Sequence, residues 1–62
     1  MIKFYCTFGF GQKHENCYCI IYAEDEGKAR EQMNLKFDRK WSRIYTSAEE
    51  AGVKEFNLTR IE

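Results

Sequence analysis

The chain has 62 residues, and its ten basic and ten acidic side chains give a formal net charge of zero at pH 7. This length is enough for one domain, residues 1–62. Because the charges balance, the chain has no overall electrostatic field that would attract it to nucleic acid or to anionic membranes. No apolar run approaches the ~20 residues of a membrane span. Because the N-terminal segment also lacks the pattern of a signal peptide, we expect a cytoplasmic protein.

Alternating apolar residues predict a β-hairpin at the start of the chain. The register that sets these residues opposite one another pairs Ile2 with Ala23, Phe4 with Ile21, Cys6 with Cys19, Phe8 with Cys17, and Phe10 with Glu15. A shift of one residue would move a whole apolar row to the opposite face of the sheet. We therefore predict this register, closed by a loop from Gly11 to His14.

The next segment has the signals of a helix. Asp25 is a favourable N-cap, and the acidic residues around it suit the positive end of the helix dipole. Ala29, Met33 and Phe37 recur at four-residue spacing, which predicts a buried stripe. We expect a helix from Glu26 to Phe37, with an exposed Glu26–Arg30 pair.

The remaining segment predicts two further strands, Trp41 to Thr46 and Glu55 to Ile61. A helical turn that Ser47 caps and Gly52 ends lies between them. The order ββαβ(α)β predicts an α+β fold, a small antiparallel sheet with one main helix packed on one face. The residues expected to dominate the core are Ile2, Phe4, Phe8, Ile21, Met33, Phe37, Ile44 and Leu58.

All three cysteines and the one histidine lie between Cys6 and Cys19. In the predicted register Cys6 and Cys19 are opposite, with Cβ atoms ~5 Å apart. Cys17 is a diagonal neighbour of Cys6, and His14 lies in the loop. Three thiolates and one imidazole are a donor set typical of structural zinc, and a small domain gains stability from a metal. The predicted zinc ligands are Cys6, His14, Cys17 and Cys19.

Two other interpretations of the thiols stay open. Cysteine packs as a small hydrophobe, so all three side chains can belong to the core. Cys6 and Cys19 can also form a cross-strand disulfide. Alternate residues of one strand, such as Cys17 and Cys19, lie ~6.6 Å apart, wider than the ~3.7 Å edge of a zinc–sulfur tetrahedron. This spacing counts against the metal.

The other face of the predicted hairpin carries Tyr5, Tyr18 and Tyr22 beside Ile20. An exposed apolar patch of this kind often marks a protein interface, and tyrosine is enriched at the residues that dominate binding. Four occupants stay open: a partner protein, a second copy of the chain in a homodimer, the chain's own C-terminal segment, and stacked single-stranded bases.

The most basic part of the chain surrounds Trp41. This basic window consists of Lys36, Arg39, Lys40, Trp41 and Arg43. Basic residues interleaved with an aromatic ring suit contact with a nucleic-acid backbone. The alternative is a helix C-terminus with the cations that complement its dipole. The predicted partner-binding residues are Tyr5, Tyr18, Tyr22, Arg39, Lys40, Trp41 and Arg43.

The sequence contains no catalytic motif, and no group is placed to orient His14 as the base of a dyad with Cys17. We therefore expect a protein that is not an enzyme. The stretches "FYCTFGFGQKHENCY", "AEDEGKAREQM", "KW", "IYT" and "GVKEFNL" resemble short open reading frames of phages and prophages of Gram-positive bacteria. This resemblance covers nearly the whole chain and transfers no functional residue.

Short prophage proteins of this kind include anti-CRISPR proteins, which inhibit the type II effector nuclease. The resemblance implies stoichiometric binding to that nuclease or to its guide-RNA complex, in the cytoplasm of the host cell. The alternative is a small nucleic-acid-binding phage accessory protein. The first hypothesis requires a protein partner, whereas the second predicts binding to bare nucleic acid that weakens steeply with salt.

Overall fold

The computed structural model describes residues 1–9, 11 and 13–61. It contains four strands, β1 (Ile2–Thr7), β2 (Cys17–Ala23), β3 (Arg43–Tyr45) and β4 (Thr59–Arg60), and two helices, α1 (Glu26–Phe37) and α2 (Ala48–Ala51). The predicted α+β class and the order of the elements are confirmed. Within the described residues, no helix has the length and apolar character needed to cross a membrane.

The four strands form one sheet in the order β3-β1-β2-β4. β1 is antiparallel to both of its neighbours, but β4 runs parallel to β2. The expectation of a fully antiparallel sheet was therefore wrong for β4. The reason is the connection: the chain leaves β3 at one edge and enters β4 at the other edge in the same direction. Such a connection must cross a face of the sheet and is not a hairpin.

The predicted hairpin register is confirmed at Ile2–Ala23, Phe4–Ile21 and Cys6–Cys19. The ladder ends at Thr7 and Tyr18, so the expected pairing of Phe8 with Cys17 does not form. There the chain turns instead, and the Cys17 N–H donates to the His14 carbonyl at 2.9 Å. The expected pairing of Phe10, and Gln12 of the expected loop, lie outside the described residues.

Helix α1 has the predicted bounds because both ends are capped. The Asp25 carboxylate accepts a hydrogen bond from the Lys28 N–H at 2.8 Å, which satisfies a free donor of the first turn. At the other end Asp38 adopts the left-handed conformation, with φ 51°, and its N–H donates to the Asn34 carbonyl. The exposed pair of Glu26 and Arg30 forms at 3.3 Å.

The last two strands are shorter than predicted because local hydrogen bonds replace sheet pairing. Trp41 turns toward α1, where its indole N–H donates to the Asn34 side chain at 2.9 Å. The chain from residue 52 to 58 bonds to itself through turns, including Leu58 N–H to the Val53 carbonyl. The predicted Ser47 cap is confirmed, since its hydroxyl accepts from the Glu50 N–H, and Gly52 ends α2 as expected.

The core lies between the sheet and α1. Its buried side chains come from the apolar rows of the hairpin and the stripe of α1, and they are Phe4, Cys6, Phe8, Cys19, Ile21, Ala23, Ala29 and Met33. Of the predicted core residues, Phe37 and Ile44 are half-buried against this cluster, and Leu58 is also half-buried. Ile2 is 47% exposed, so its assignment to the core was wrong. It pairs with Ala23 where β1 begins and β2 ends, at the open end of the hairpin.

Candidate functional site

The sheet face opposite α1 carries every tyrosine of the chain. Paired residues of neighbouring strands point to the same side, so the pairings define this surface. We call it the tyrosine face, and its members are Lys3, Tyr5, Thr7, Tyr18, Ile20, Tyr22, Arg43, Tyr45 and Arg60. Tyr5, Tyr18 and Tyr22, which were predicted from the hairpin alone, are therefore brought together on one surface.

The tyrosine face is ordered in rows that run across the strands. The first row spans all four strands as Arg43, Thr7, Tyr18 and Arg60. The second row is Tyr45, Tyr5 and Ile20, and the third is Lys3 and Tyr22. Successive rows are two residues apart along a strand, which corresponds to ~7 Å. The aromatic rings are thus distributed over all three rows.

The tyrosine rings differ in how much surface they present. Tyr22 is 53% exposed, whereas Tyr5, Tyr18 and Tyr45 are half-buried. The Tyr5 and Tyr18 rings lie diagonally, with centroids 6.3 Å apart and planes inclined by 32°. The Lys3 ammonium lies 5.3 Å from the centre of the Tyr5 ring, at cation–π distance. The face therefore combines flat apolar surface with positive charge.

A crossing segment, residues 46–58, covers one end of this face. Its helix α2 contacts β1 and β3. Ala51 of α2 is buried outside the main core, and it lines a cleft together with Thr7 and Tyr45 of the tyrosine face. The chain's own C-terminal part therefore covers this end of the face, which was one of the four occupants left open. Tyr45 of the second row lies beside this cover, and the third row, Lys3 and Tyr22, extends away from it.

The charged residues that the four strands contribute to the tyrosine face are all cations, whereas the crossing segment over one end of it carries Glu49, Glu50, Lys54 and Glu55. Lys3, Arg43 and Arg60 are exposed on the face, and none of the four strands contains an acidic residue. Arg43 and Arg60 stand at the two edges of the same row, three strand spacings or ~14 Å apart. A neutral chain thus presents one local surface that attracts anions.

The structure divides the predicted basic window. Arg43 belongs to the tyrosine face, whereas Arg39 and Lys40 lie in the exposed loop after α1. The Trp41 ring is half-buried against the core, and the Arg30 guanidinium lies 5.8 Å from its centre. Because Trp41 also donates to Asn34, its ring is held by α1 and packs within the fold.

The cysteines lie on the core face, as the register predicted. The Cys6 and Cys19 side chains are fully buried, Cys17 is half-buried, and none of the three forms a disulfide. The Cys19 thiol contacts the Met33 sulfur at 3.5 Å. Among residues 1–9, 11 and 13–61, no three cysteine, histidine or acidic side chains form a group that could hold a metal ion. The packing matches the core-thiol interpretation, and zinc binding stays a prediction from the sequence.

Chemical reactivity at the Cys6 thiol is disfavoured by its surroundings. A side-chain hydrogen bond with Cys19, the burial of the thiol and the nearby charge of an ionised Cys19 all raise the pKa of Cys6 far above its ordinary value. A thiol that stays protonated is a poor nucleophile. His14 packs edge-on against Phe8 and Phe37, with centroid distances of 5.4 and 5.9 Å, so its ring serves the apolar end of the core.

Sequence reasoning missed two members of the tyrosine face. Tyr45 lies directly opposite Tyr5, and Arg60 lies directly opposite Tyr18. The alternation Arg43–Ile44–Tyr45 could have located Tyr45, because Ile44 faces the core and its neighbours must face away. Arg60 carried no such signal, since its position depends on the parallel pairing of a two-residue strand.

Comparison with known proteins adds no relative. No protein-family model, no curated protein and no solved structure matches the chain. The resemblance to short phage and prophage reading frames therefore stays a prediction.

Proposed function

We propose that this protein is a small binding protein, without catalytic activity, whose tyrosine face holds a single-stranded nucleic acid in the cytoplasm of the host cell. The observation that carries the proposal is the joint placement of four tyrosines and three cations on one sheet face whose strands have no acidic residue. Proteins that bind single strands combine these two elements, aromatic platforms for the bases and positive charge for the backbone.

The rows of the face suggest how a strand would lie. The ~7 Å step between rows separates the rings enough for bases to stack beside successive tyrosines. Arg60 lies directly opposite Tyr18 in the first row, and Arg43 lies at the other edge of that row, beyond Thr7. The two edges of the row thus offer a guanidinium each to the backbone of a bound strand. Lys3 supplies the third cation in the row of Tyr22. A duplex buries its base faces within the helix, so stacking on the tyrosines favours a single strand.

The proposal is tested by fluorescence anisotropy with a labelled single strand of about 12 nucleotides, within the usual range of site sizes. We expect binding that is weaker for the corresponding duplex. Neutralising three phosphates of a single strand predicts a slope of about −2 in a plot of log K against log salt concentration. A slope near zero, or equal affinity for strand and duplex, would overturn the proposal.

Two matched charge removals distinguish the tyrosine face from the loop after α1. Arg43→Gln removes one cation from the face, and we expect it to reduce the salt slope by about 0.7. Lys40→Gln removes one cation from the loop and is expected to leave the slope unchanged. If Lys40→Gln has the larger effect, the loop part of the basic window is the nucleic-acid site.

A second proposal follows from the exposed end of the same face. We propose stoichiometric inhibition of the type II CRISPR effector nuclease, through the nuclease itself or its guide-RNA complex. It is supported by Tyr22, whose half-exposed ring lies at the end of the face away from α2. A partner protein that buried this ring would gain a strong anchor, since tyrosine is enriched among the residues that dominate binding. DNA cleavage by the purified nuclease should then fall in proportion to added protein and reach its minimum near one equivalent.

Pull-down experiments separate the two proposals. Capture of the nuclease without guide RNA, together with no binding to free oligonucleotides, supports the inhibitor alone. Binding to free oligonucleotides with no effect on cleavage supports the accessory protein alone. Capture only when guide RNA is present, and with the same dependence on Arg43, assigns the interaction to the RNA of the complex.

A further inference from the structure

A cleft of about 390 Å³ opens where the tyrosine face meets the crossing segment. Its floor is apolar, formed by the buried residues Phe8 and Ala51 with half-buried Leu58. Two aromatic side chains, Tyr45 and Phe56, also line it. Its polar lining comes from the end of β1, the end of the hairpin loop and the segment before β3, and consists of Thr7, Glu15, Asn16 and Ser42.

This lining suits a flat ring with a polar edge. The volume falls in the range of small-ligand pockets, which combine apolar walls with a few polar groups that fix orientation. Aromatic side chains at the wall can stack on such a ring, and the hydroxyls and the Asn16 amide can bond to its edge. A nucleobase has this shape and chemistry, and a single strand on the neighbouring surface supplies one.

The acidic group of the cleft restricts which base fits best. The Glu15 side chain is held in place by the Gly11 N–H, which donates to its Oε2 atom at 3.0 Å. An ionised carboxylate accepts hydrogen bonds at both oxygens and has about four lone-pair sites, so it can receive further donors. Guanine presents two adjacent N–H donors, N1–H and the 2-amino group, on its Watson–Crick edge. The other common bases place an acceptor next to their donor there.

The position of the cleft links it to the tyrosine face. Thr7 belongs to both, and Arg43 lies directly opposite Thr7 in the first row. A phosphate held by Arg43 therefore lies beside the cleft, while Glu15 repels phosphate from its interior. This arrangement admits the base and keeps the charged backbone on the face.

We infer that this cleft binds a guanine base of the single strand held by the tyrosine face, with Glu15 accepting from the two N–H donors of its Watson–Crick edge. The inference rests on the proposed function, because the tyrosine face supplies the strand. It adds a preference for guanine to a surface that would otherwise bind single strands without regard to sequence.

The test compares oligothymidylates of about 12 nucleotides that carry one central replacement. We expect a guanine to raise the affinity about 10-fold over the unreplaced strand, as a good bidentate pair does. Hypoxanthine lacks the 2-amino group and should lose most of this gain, and adenine should give none. Glu15→Gln retains an acceptor for the Gly11 N–H but has one acceptor oxygen in place of two. We expect it to abolish the guanine preference, so that strands with and without the guanine bind with equal affinity.

Glu24→Gln is the matched control, since Glu24 is an exposed glutamate that follows β2 at the opposite end of the hairpin. It should retain the preference for guanine. Equal affinities for all strands in the wild type would overturn the guanine site and leave the proposed function intact. A preference that persists in Glu15→Gln would also overturn it. If no strand binds, the proposed function and the guanine site both fail.

Discussion

The exposed ring of Tyr22 gives the sharpest test of the tyrosine face. If a base stacks on it, replacing Tyr22 with alanine removes that contact. Stacking of a base on an aromatic side chain contributes ~1–3 kcal/mol by alanine substitution. This range corresponds to a loss of affinity of roughly 5- to 150-fold, since 1.4 kcal/mol is a factor of ten. Tyr22→Phe retains the ring and should bind within about 3-fold of the wild type.

The structure indicates that this substitution leaves the fold intact. The Tyr22 side chain is 53% exposed, and the hydrogen bond that ties this position to α1 uses its backbone carbonyl, which accepts from Gln32 at 3.0 Å. Truncation at the side chain does not remove that bond. We therefore expect the midpoint of thermal unfolding to change little, as for most surface substitutions.

Leu35→Ala is the matched control for this measurement. Leu35 is an apolar side chain 87% exposed on α1, away from the tyrosine face. Anisotropy titrations with a labelled single strand are run on all three variants, with circular dichroism melting as the check on folding. A folded Tyr22→Ala variant that binds within about 2-fold of the wild type would refute stacking at this ring. Equal losses in Leu35→Ala would show that the effect is not specific to the face.

Four further predictions concern the fold, the thiols and self-association. Gly52 has φ 75°, and a Cβ atom there would lie 2.5 Å from the Phe56 ring. Gly52→Ala should therefore reduce the free energy of unfolding by ~1–2 kcal/mol because of the left-handed backbone, and lower the melting temperature. An unchanged melting curve would contradict this. The pKa of Cys6 is raised above the ordinary thiol value of 9.0, so above that pH the thiol ionises in the unfolded chain but stays protonated in the fold. Stability should therefore be constant below this value and fall by up to ~1.4 kcal/mol per pH unit above it under reducing conditions. A Cys6→Ala variant with the same pH dependence would exclude Cys6 as its cause. If zinc binds, protein purified without added metal should contain about one equivalent and Cys19→Ser less, whereas metal-free wild type would remove the zinc hypothesis. A dimer through the tyrosine face should dissociate on dilution in sedimentation experiments and weaken in Tyr22→Ala, whereas a monomer at every concentration excludes it.

Local patterns predicted the parts of the fold that local forces determine. The register from Ile2–Ala23 to Cys6–Cys19 followed from matching two apolar rows, because a shift of one residue places one row in water. The bounds of α1 followed from the Asp25 cap and the four-residue stripe. In both cases the cause is a repeating apolar pattern that can be read within the segments themselves.

Features that depend on contacts with other elements of the fold could not be predicted from such patterns. β3 is shorter than predicted because Trp41 leaves the strand to pack on α1 and bond to Asn34, a contact between residues seven positions apart. β4 is parallel because the crossing segment passes over the tyrosine face, and two residues give no pattern from which to read direction. The face was predicted from the hairpin alone, so Tyr45 and Arg60, which come from the outer strands, were missed.

Nuclear magnetic resonance can test directly whether the tyrosine face is the binding surface. Amide resonances of the labelled protein are followed while a single strand of about 12 nucleotides is added. We predict that the largest shifts map to Tyr5, Tyr18, Tyr22 and Arg43. Shifts concentrated at Arg39 and at its neighbours in the loop after α1, with the tyrosine face unchanged, would contradict the account.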